Sequence, residues 1–66
     1  MILILNGKQE LIEKPLSLAA LVQAKGLCPD KIVVEYNLNI ISKEDWPKIM
    51  IKNQDMIEIV SFVGGG

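Results

Sequence analysis

Histidine and arginine are both absent from the 66 residues, cysteine occurs once, and Trp, Tyr and Phe occur once each. Each shortage closes off a class of function. With no histidine and one cysteine, neither a structural zinc site nor a histidine-based catalytic triad can be assembled, so no bound metal is expected. With no arginine and a net charge of -1, the chain lacks the clustered basic residues and forked guanidinium contacts by which proteins hold nucleic acid. Cys28 alone cannot form an internal disulfide, which fits a reducing, cytoplasmic setting. Within Gly26-Leu27-Cys28-Pro29 it reads as a small, partly buried hydrophobe at a helix exit. The other reading, a sulfur-carrying thiol, would need a histidine or second cysteine nearby to lower its pKa. Apolar runs stop far short of membrane-span length, and Met1 opens a strand pattern instead of a basic signal-peptide head. No membrane partner is expected.

What is present is aliphatic. Half the residues are hydrophobic, so a core must be built from Ile, Leu and Val, which favour strands. A chain of this length makes one small domain, burying about 60% of the surface that its unfolded form exposes, with no room for a deep active site.

Met1-Ile2-Leu3-Ile4-Leu5 has strand length, and Asn6-Gly7 is the pair preferred in two-residue type I′ turns, so a hairpin returning over about Lys8 to Glu13 is predicted. Lys8 and Glu10 should face solvent or a rim, with Gln9 and Leu11 on the other face. Ser17 is a good N-cap, Leu16 and Leu21 have the spacing of a hydrophobic staple, and Leu18, Leu21 and Val22 form one stripe. A core helix to Lys25 follows, with Gly26 as the residue past its end. Lys31 to Tyr36 reads as a strand, with Asn37-Leu38-Asn39 a tight connection into Ile40-Ile41. Ser42-Lys43-Glu44-Asp45 has capping-box spacing and should start one helical turn that Pro47 cuts short. That turn carries Trp46, more naturally a lid on the core than a stacking platform. Ile49-Met50-Ile51 reads as a short strand, Lys52 to Asp55 as a turn, and Met56 to Val63 as the last and longest strand.

Hairpin, helix and further strands with a long final one are satisfied most simply by an α+β β-grasp domain, a mixed four- to five-stranded sheet wrapped over one helix. The first and last strands should then lie side by side and parallel at its centre. Ile57 and Ile59 would face the helix with Leu3 and Leu5, and Glu58, Val60 and Phe62 would face outward. Val60 and Phe62 are then either a docking surface or packed under a loop.

After Val63 come Gly64, Gly65 and Gly66, expected as a flexible tail to the single domain of residues 1–66. Three residues without a Cβ can enter a narrow slot, and the carboxylate of Gly66, with a pKa of about 3.3 to 3.7, is an anion that a partner must activate before it can react. Adenylation is one such activation.

The order of elements and the ending resemble the ubiquitin-like sulfur carriers (the MoaD/ThiS group), most closely the thiamine-biosynthesis family ThiS. The resemblance covers the whole chain: Ile4-Leu5-Asn6-Gly7-Lys8 looks like the opening hairpin, Val34-Glu35-Tyr36-Asn37 through Ile40-Ile41 like the middle strand pair. Asp55-Met56-Ile57-Glu58-Ile59-Val60 through Val63-Gly64-Gly65-Gly66 looks like the closing signature. That family usually has glycine where Gln54 stands, which implies a changed turn type here. The small subunit of molybdopterin synthase is a related possibility, typically longer and richer in Arg, Glu and Pro near its tail.

The resemblance implies a protein cosubstrate and no catalyst. Gly66 would be adenylated by an E1-like, ThiF-like adenylyltransferase using its own ATP, and the chain itself would bind no cofactor. Sulfur from a cysteine desulfurase or another donor would then give a thiocarboxylate that supplies thiazole synthase (ThiG-like). Gly64 and Gly65 would thread the enzyme tunnels, Phe62 and Val63 would set the depth of entry, and Val60, with Glu58 beside it, would contact partners. A ubiquitin-like modifier joined to lysines through Gly66, and a passive β-grasp module, are the competing readings.

Overall fold

Asn6 and Gly7 have φ of 51° and 81°, the primed-turn geometry that matches the right-handed twist of paired strands. The computed structural model, which describes residues 1–62, places β1 (Ile2–Leu5) and β2 (Lys8–Leu11) on either side of that turn. They pair antiparallel from Ile2 opposite Leu11 to Leu5 opposite Lys8. Glu10 lies opposite Leu3 and reaches the rim of the helix side, where both carboxylate oxygens accept from Lys25 Nζ at 2.7 and 2.8 Å.

Helix α1 (Leu18–Ala24) starts and stops by local chemistry. Ser17 Oγ accepts the backbone N–H of Ala20 at 3.1 Å, satisfying one donor that has no partner inside the helix. At the other end Gly26 takes φ 69°, and the N–H groups of Gly26 and Leu27 return to the carbonyls of Gln23 and Val22. This is a Schellman closure, and it depends on a residue that enters the left-handed region freely. Leu18, Leu21 and Val22 are buried, so the helix contributes one stripe to the core.

Beyond a short 3-10 turn at Pro29–Lys31 come β3 (Ile32–Tyr36) and β4 (Asn39–Ile41), joined through Asn37 and Leu38. A longer 3-10 turn, Lys43–Lys48, precedes the last strand, β5 (Met56–Ser61). The five strands form one mixed sheet in the order β2-β1-β5-β3-β4. β5 lies at its centre, parallel to β1 and antiparallel to β3. Among the described residues, Leu3, Val34 and Ile57 of the sheet and Leu18 of α1 are fully buried at the centre of the core. Trp46, 4% exposed, closes the core and donates its indole N–H to the Ile41 carbonyl at 3.0 Å.

Four expectations are corrected. Ile49–Ile51 does not join the sheet: its carbonyl and amide bonds go to Leu18 and Leu16 beside the start of α1, leaving an isolated bridge between Met50 and Ser17. Ser42 forms no side-chain cap; its hydroxyl instead donates to Asp45 Oδ2 at 3.1 Å, and Pro47 sits inside the turn it was expected to end. Cys28 is exposed. Gln54 does not evade the conformation that glycine favours, but adopts φ 70° itself.

Candidate functional site

The site is built around β5, whose place in the sheet is set by residues on both flanks. On the β1 side the ladder covers Ile4 opposite Met56 and Leu5 opposite Ile57, and then β1 turns away. Asn6 continues it, its backbone N–H donating to the Ile57 carbonyl at 2.9 Å and its Oδ1 accepting the Ile59 N–H at 2.7 Å. On the β3 side Asn37 does the same at the start of the strand: Oδ1 accepts the Met56 N–H at 2.8 Å, and the backbone N–H donates to the Met56 carbonyl at 2.8 Å. Both hairpin turns therefore place an asparagine against the central strand.

Asp55, just before β5, ties these parts together. It is 8% exposed, and its Oδ2 accepts from the Tyr36 hydroxyl at 2.5 Å and the Lys52 N–H at 2.7 Å, while Oδ1 accepts from Asn37 Nδ2 at 3.2 Å. Burial works against the charged carboxylate, but the donors from Tyr36, Lys52 and Asn37 outweigh it and hold the Asp55 pKa below the ordinary value. Burial, with the hydrogen bond to Asp55, pushes the Tyr36 phenol up to about 12. Nothing in the local sequence flagged this group, because its partners Tyr36 and Asn37 lie 19 and 18 positions away.

With that register, side chains of β5 alternate cleanly. Ile57 is fully buried and Ile59 packs against the core, whereas Met56, Glu58, Val60 and Phe62 lie on the outer face. Val60 and Phe62 are 56% and 60% exposed, so among the described residues no loop covers them. Their neighbours extend the patch: Val33 lies opposite Val60, Ile4 opposite Met56, and Ile2 and Leu11 are exposed on the same side. Glu35 lies directly opposite Glu58. Sequence reasoning named Glu58, Val60 and Phe62, and the structure brings all three together. It missed Val33 and Glu35, although their alternation with buried Ile32 and Val34 carried the signal. Val63, Gly64, Gly65 and Gly66 lie outside the described residues.

A groove of about 680 Å³ lies elsewhere, on the helix side between α1 and the two 3-10 turns, lined by residues including Val22, Leu27, Lys43 and Trp46. It shares no residue with the outer face of β5. Lys43 and Asp30 form an exposed ion pair at its edge, each stabilising the other's charge: the Asp30 pKa is lowered and the Lys43 pKa raised. Among the described residues no three metal-ligating side chains come together, and no helix is long and apolar enough to cross a membrane.

The fold has counterparts in known proteins. The ThiS family model matches residues 3–66. The chain belongs to the ThiS family. It is 41% identical over 63 residues to the sulfur carrier protein ThiS of Bacillus subtilis, covering 94% of this chain and 96% of that one. A crystal structure of the thiamine biosynthesis protein (ThiS) from Geobacter metallireducens matches with a TM-score of 0.85 at 28% identity, covering 100% of both chains. Similarity also reaches a thiazole synthase of Paramagnetospirillum magneticum, 33% identical over 64 residues. There the match takes in 97% of this chain but only 20% of the much longer synthase. With ThiS family membership comes the β-grasp reading of the five-stranded sheet and its helix.

Proposed function

We propose that this chain is a sulfur carrier in the making of the thiazole part of thiamine, acting as a protein cosubstrate and not as a catalyst. The observation that carries this reading is the family match, which runs through Gly66. The exposed apolar face on the strand leading into the glycines supports it, because that face has no role in packing the core.

In this scheme Gly66 presents a free carboxylate. An E1-like adenylyltransferase directs it onto the α-phosphorus of ATP, releasing pyrophosphate and leaving an acyl adenylate. The outer sulfur of a persulfide formed on a cysteine desulfurase, or on another donor, then displaces AMP to give an acyl disulfide, and a thiol cleaves that S–S bond, forming a disulfide with the donor's sulfur and releasing the thiocarboxylate. The thiocarboxylate is an anion with a nucleophilic sulfur, suited to attack an imine formed from a carbonyl precursor, and thiazole synthase is the recipient. Similarity between this chain and a segment of thiazole synthases supports that pairing. Gly64 and Gly65 supply a chain slim enough for a tunnel, Phe62 and Val63 limit how far it enters, and Val60 and Glu58 meet the partner surface. ATP belongs to the activating enzyme, the chain holds no cofactor of its own, and the cycle runs in the cytoplasm.

Incubation with ATP, the activating enzyme and a sulfur source, followed by intact mass measurement, tests the scheme. The expected result is a gain equal to the mass difference between sulfur and oxygen, located at Gly66. Adducts joined to lysines would favour a protein modifier instead, and an unchanged mass a passive module.

A further inference from the structure

The outer face also holds a repulsive pair that packing of the sheet does not explain. Glu35 and Glu58 stand opposite each other in an antiparallel pair, an arrangement of like charges that weakens a sheet. Neither takes part in an ion pair among the described residues. With Leu38, Met56 and Val60 they line a shallow pocket of about 300 Å³. Leu38 is itself out of place for folding. It sits in the Asn37-Leu38 turn at φ 76° and is 78% exposed. A leucine in the left-handed region is strained by its Cβ, a strain that the equivalent Gly7 in the first hairpin does not incur.

Resting on the sulfur-carrier reading, we infer that this pocket receives a basic side chain, arginine in preference to lysine, from the adenylyltransferase that takes up the tail. The lining asks for a cationic head on an apolar stem. A bare hydrated cation would leave Leu38, Met56 and Val60 uncovered, and an apolar side chain would bury two carboxylates without a partner. A planar guanidinium can reach both glutamates, while its stem lies along the leucine, methionine and valine. A second copy of this chain has no arginine and could offer only a lysine, whose compact, strongly hydrated head cannot fork between the two carboxylates. The pocket shares Glu58 and Val60 with the face that leads to the glycines, so an enzyme holding the tail also covers the pocket. It therefore fixes the register of docking, a role that explains why two destabilising features persist side by side.

The test is calorimetric titration of the full chain with the purified adenylyltransferase at several salt concentrations, beside the Glu35→Gln/Glu58→Gln double variant and Leu38→Gly. The wild type is expected to bind less tightly as salt rises. The double variant should bind at least about tenfold more weakly, with most of that salt dependence gone. Leu38→Gly should also bind more weakly, and both variants should melt at or above the wild-type temperature. Unchanged affinity in the double variant, or weaker binding accompanied by a lower melting temperature, would overturn the inference. Intact mass measurement of the wild type keeps the two readings separate. A thiocarboxylate that forms while the variants bind normally removes only the pocket's role. Salt-sensitive binding that depends on the glutamates, with no sulfur on Gly66, removes the carrier reading and keeps the pocket.

Discussion

The two faces of β5 answer to different demands. Ile57 is fully buried between α1 and the sheet, and Ile59 packs against the same core, so the inner face is accounted for by the free energy of folding. On the outer face Val60 and Phe62 are more than half exposed and Glu58 confronts Glu35, so folding explains none of them. Residues that add nothing to the core, yet set Val60, Phe62 and neighbouring Val33 exposed beside a pair of carboxylates on the strand that leads to the glycines, are best understood through what comes to cover them. Register keeps the two sets apart. A slip of one residue would turn Ile57 outward and Phe62 inward, and Asn6, Asn37 and Asp55 are the side chains that prevent it.

The inner face should be the easier to break. Replacing Ile57 with Ala is expected to cost about 2–5 kcal/mol, measured by urea unfolding, through lost burial and the cavity left behind. A small domain has little stability to spare for that loss. A loss well under this range would mean that the strand can shift to refill the core.

Next in size is the register lock. Asp55→Ala removes the acceptor for Tyr36, Lys52 and Asn37, and is expected to cost about 1–3 kcal/mol. Its pH signature is specific. The folded-state pKa of Asp55 is depressed, so its contribution is present above the ordinary carboxylate value and is lost as pH falls through the folded value. The Tyr36 phenol is raised to about 12, so its contribution is complete below the ordinary tyrosine value of about 10 and disappears as pH rises from there through 12. Thermal melts across pH should show a plateau between these limits, and Tyr36→Phe should flatten the alkaline limb. An alkaline limb unchanged in that variant would contradict the assignment.

A smaller effect of opposite sign is expected at Gln54, whose φ of 70° strains any residue with a Cβ. Gln54→Gly should stabilise the domain by about 0.5–1 kcal/mol, the relief in the folded state exceeding the added freedom of the unfolded chain. Smallest of all in stability should be Phe62→Asp, within about 0.5 kcal/mol of the wild type, while its binding to the activating enzyme weakens measurably. Unfolding of that variant would place Phe62 in the core and abolish the distinction between the faces.

Where a structural cause is local, the sequence revealed it. Asn6-Gly7, Ser17 and Gly26 each solve a problem posed by neighbouring backbone, and all three act as their residue types suggest. Alternation along β5 likewise distinguished Ile57 and Ile59 from Glu58, Val60 and Phe62, because a strand's period of two is visible in its own residues. What escaped depended on distant partners. Ile49-Met50-Ile51 has the composition of a strand, but its backbone is taken by Leu16 and Leu18, more than 30 positions earlier in the chain. Asp55 looked like a turn residue until Tyr36 and Asn37 were seen beside it. Leu38 and Gln54 adopt conformations that their side chains disfavour, and no local preference announces such a choice.

Intact and fragment mass measurement at the C-terminal residue, after incubation with ATP, the adenylyltransferase and a sulfur donor, tests the central claim most directly. Oxygen replaced by sulfur on the Gly66 carboxyl group, with the melting temperature unchanged, is the predicted result. A Gly66 carboxyl group that stays unmodified while the same enzymes load another carrier would contradict the account.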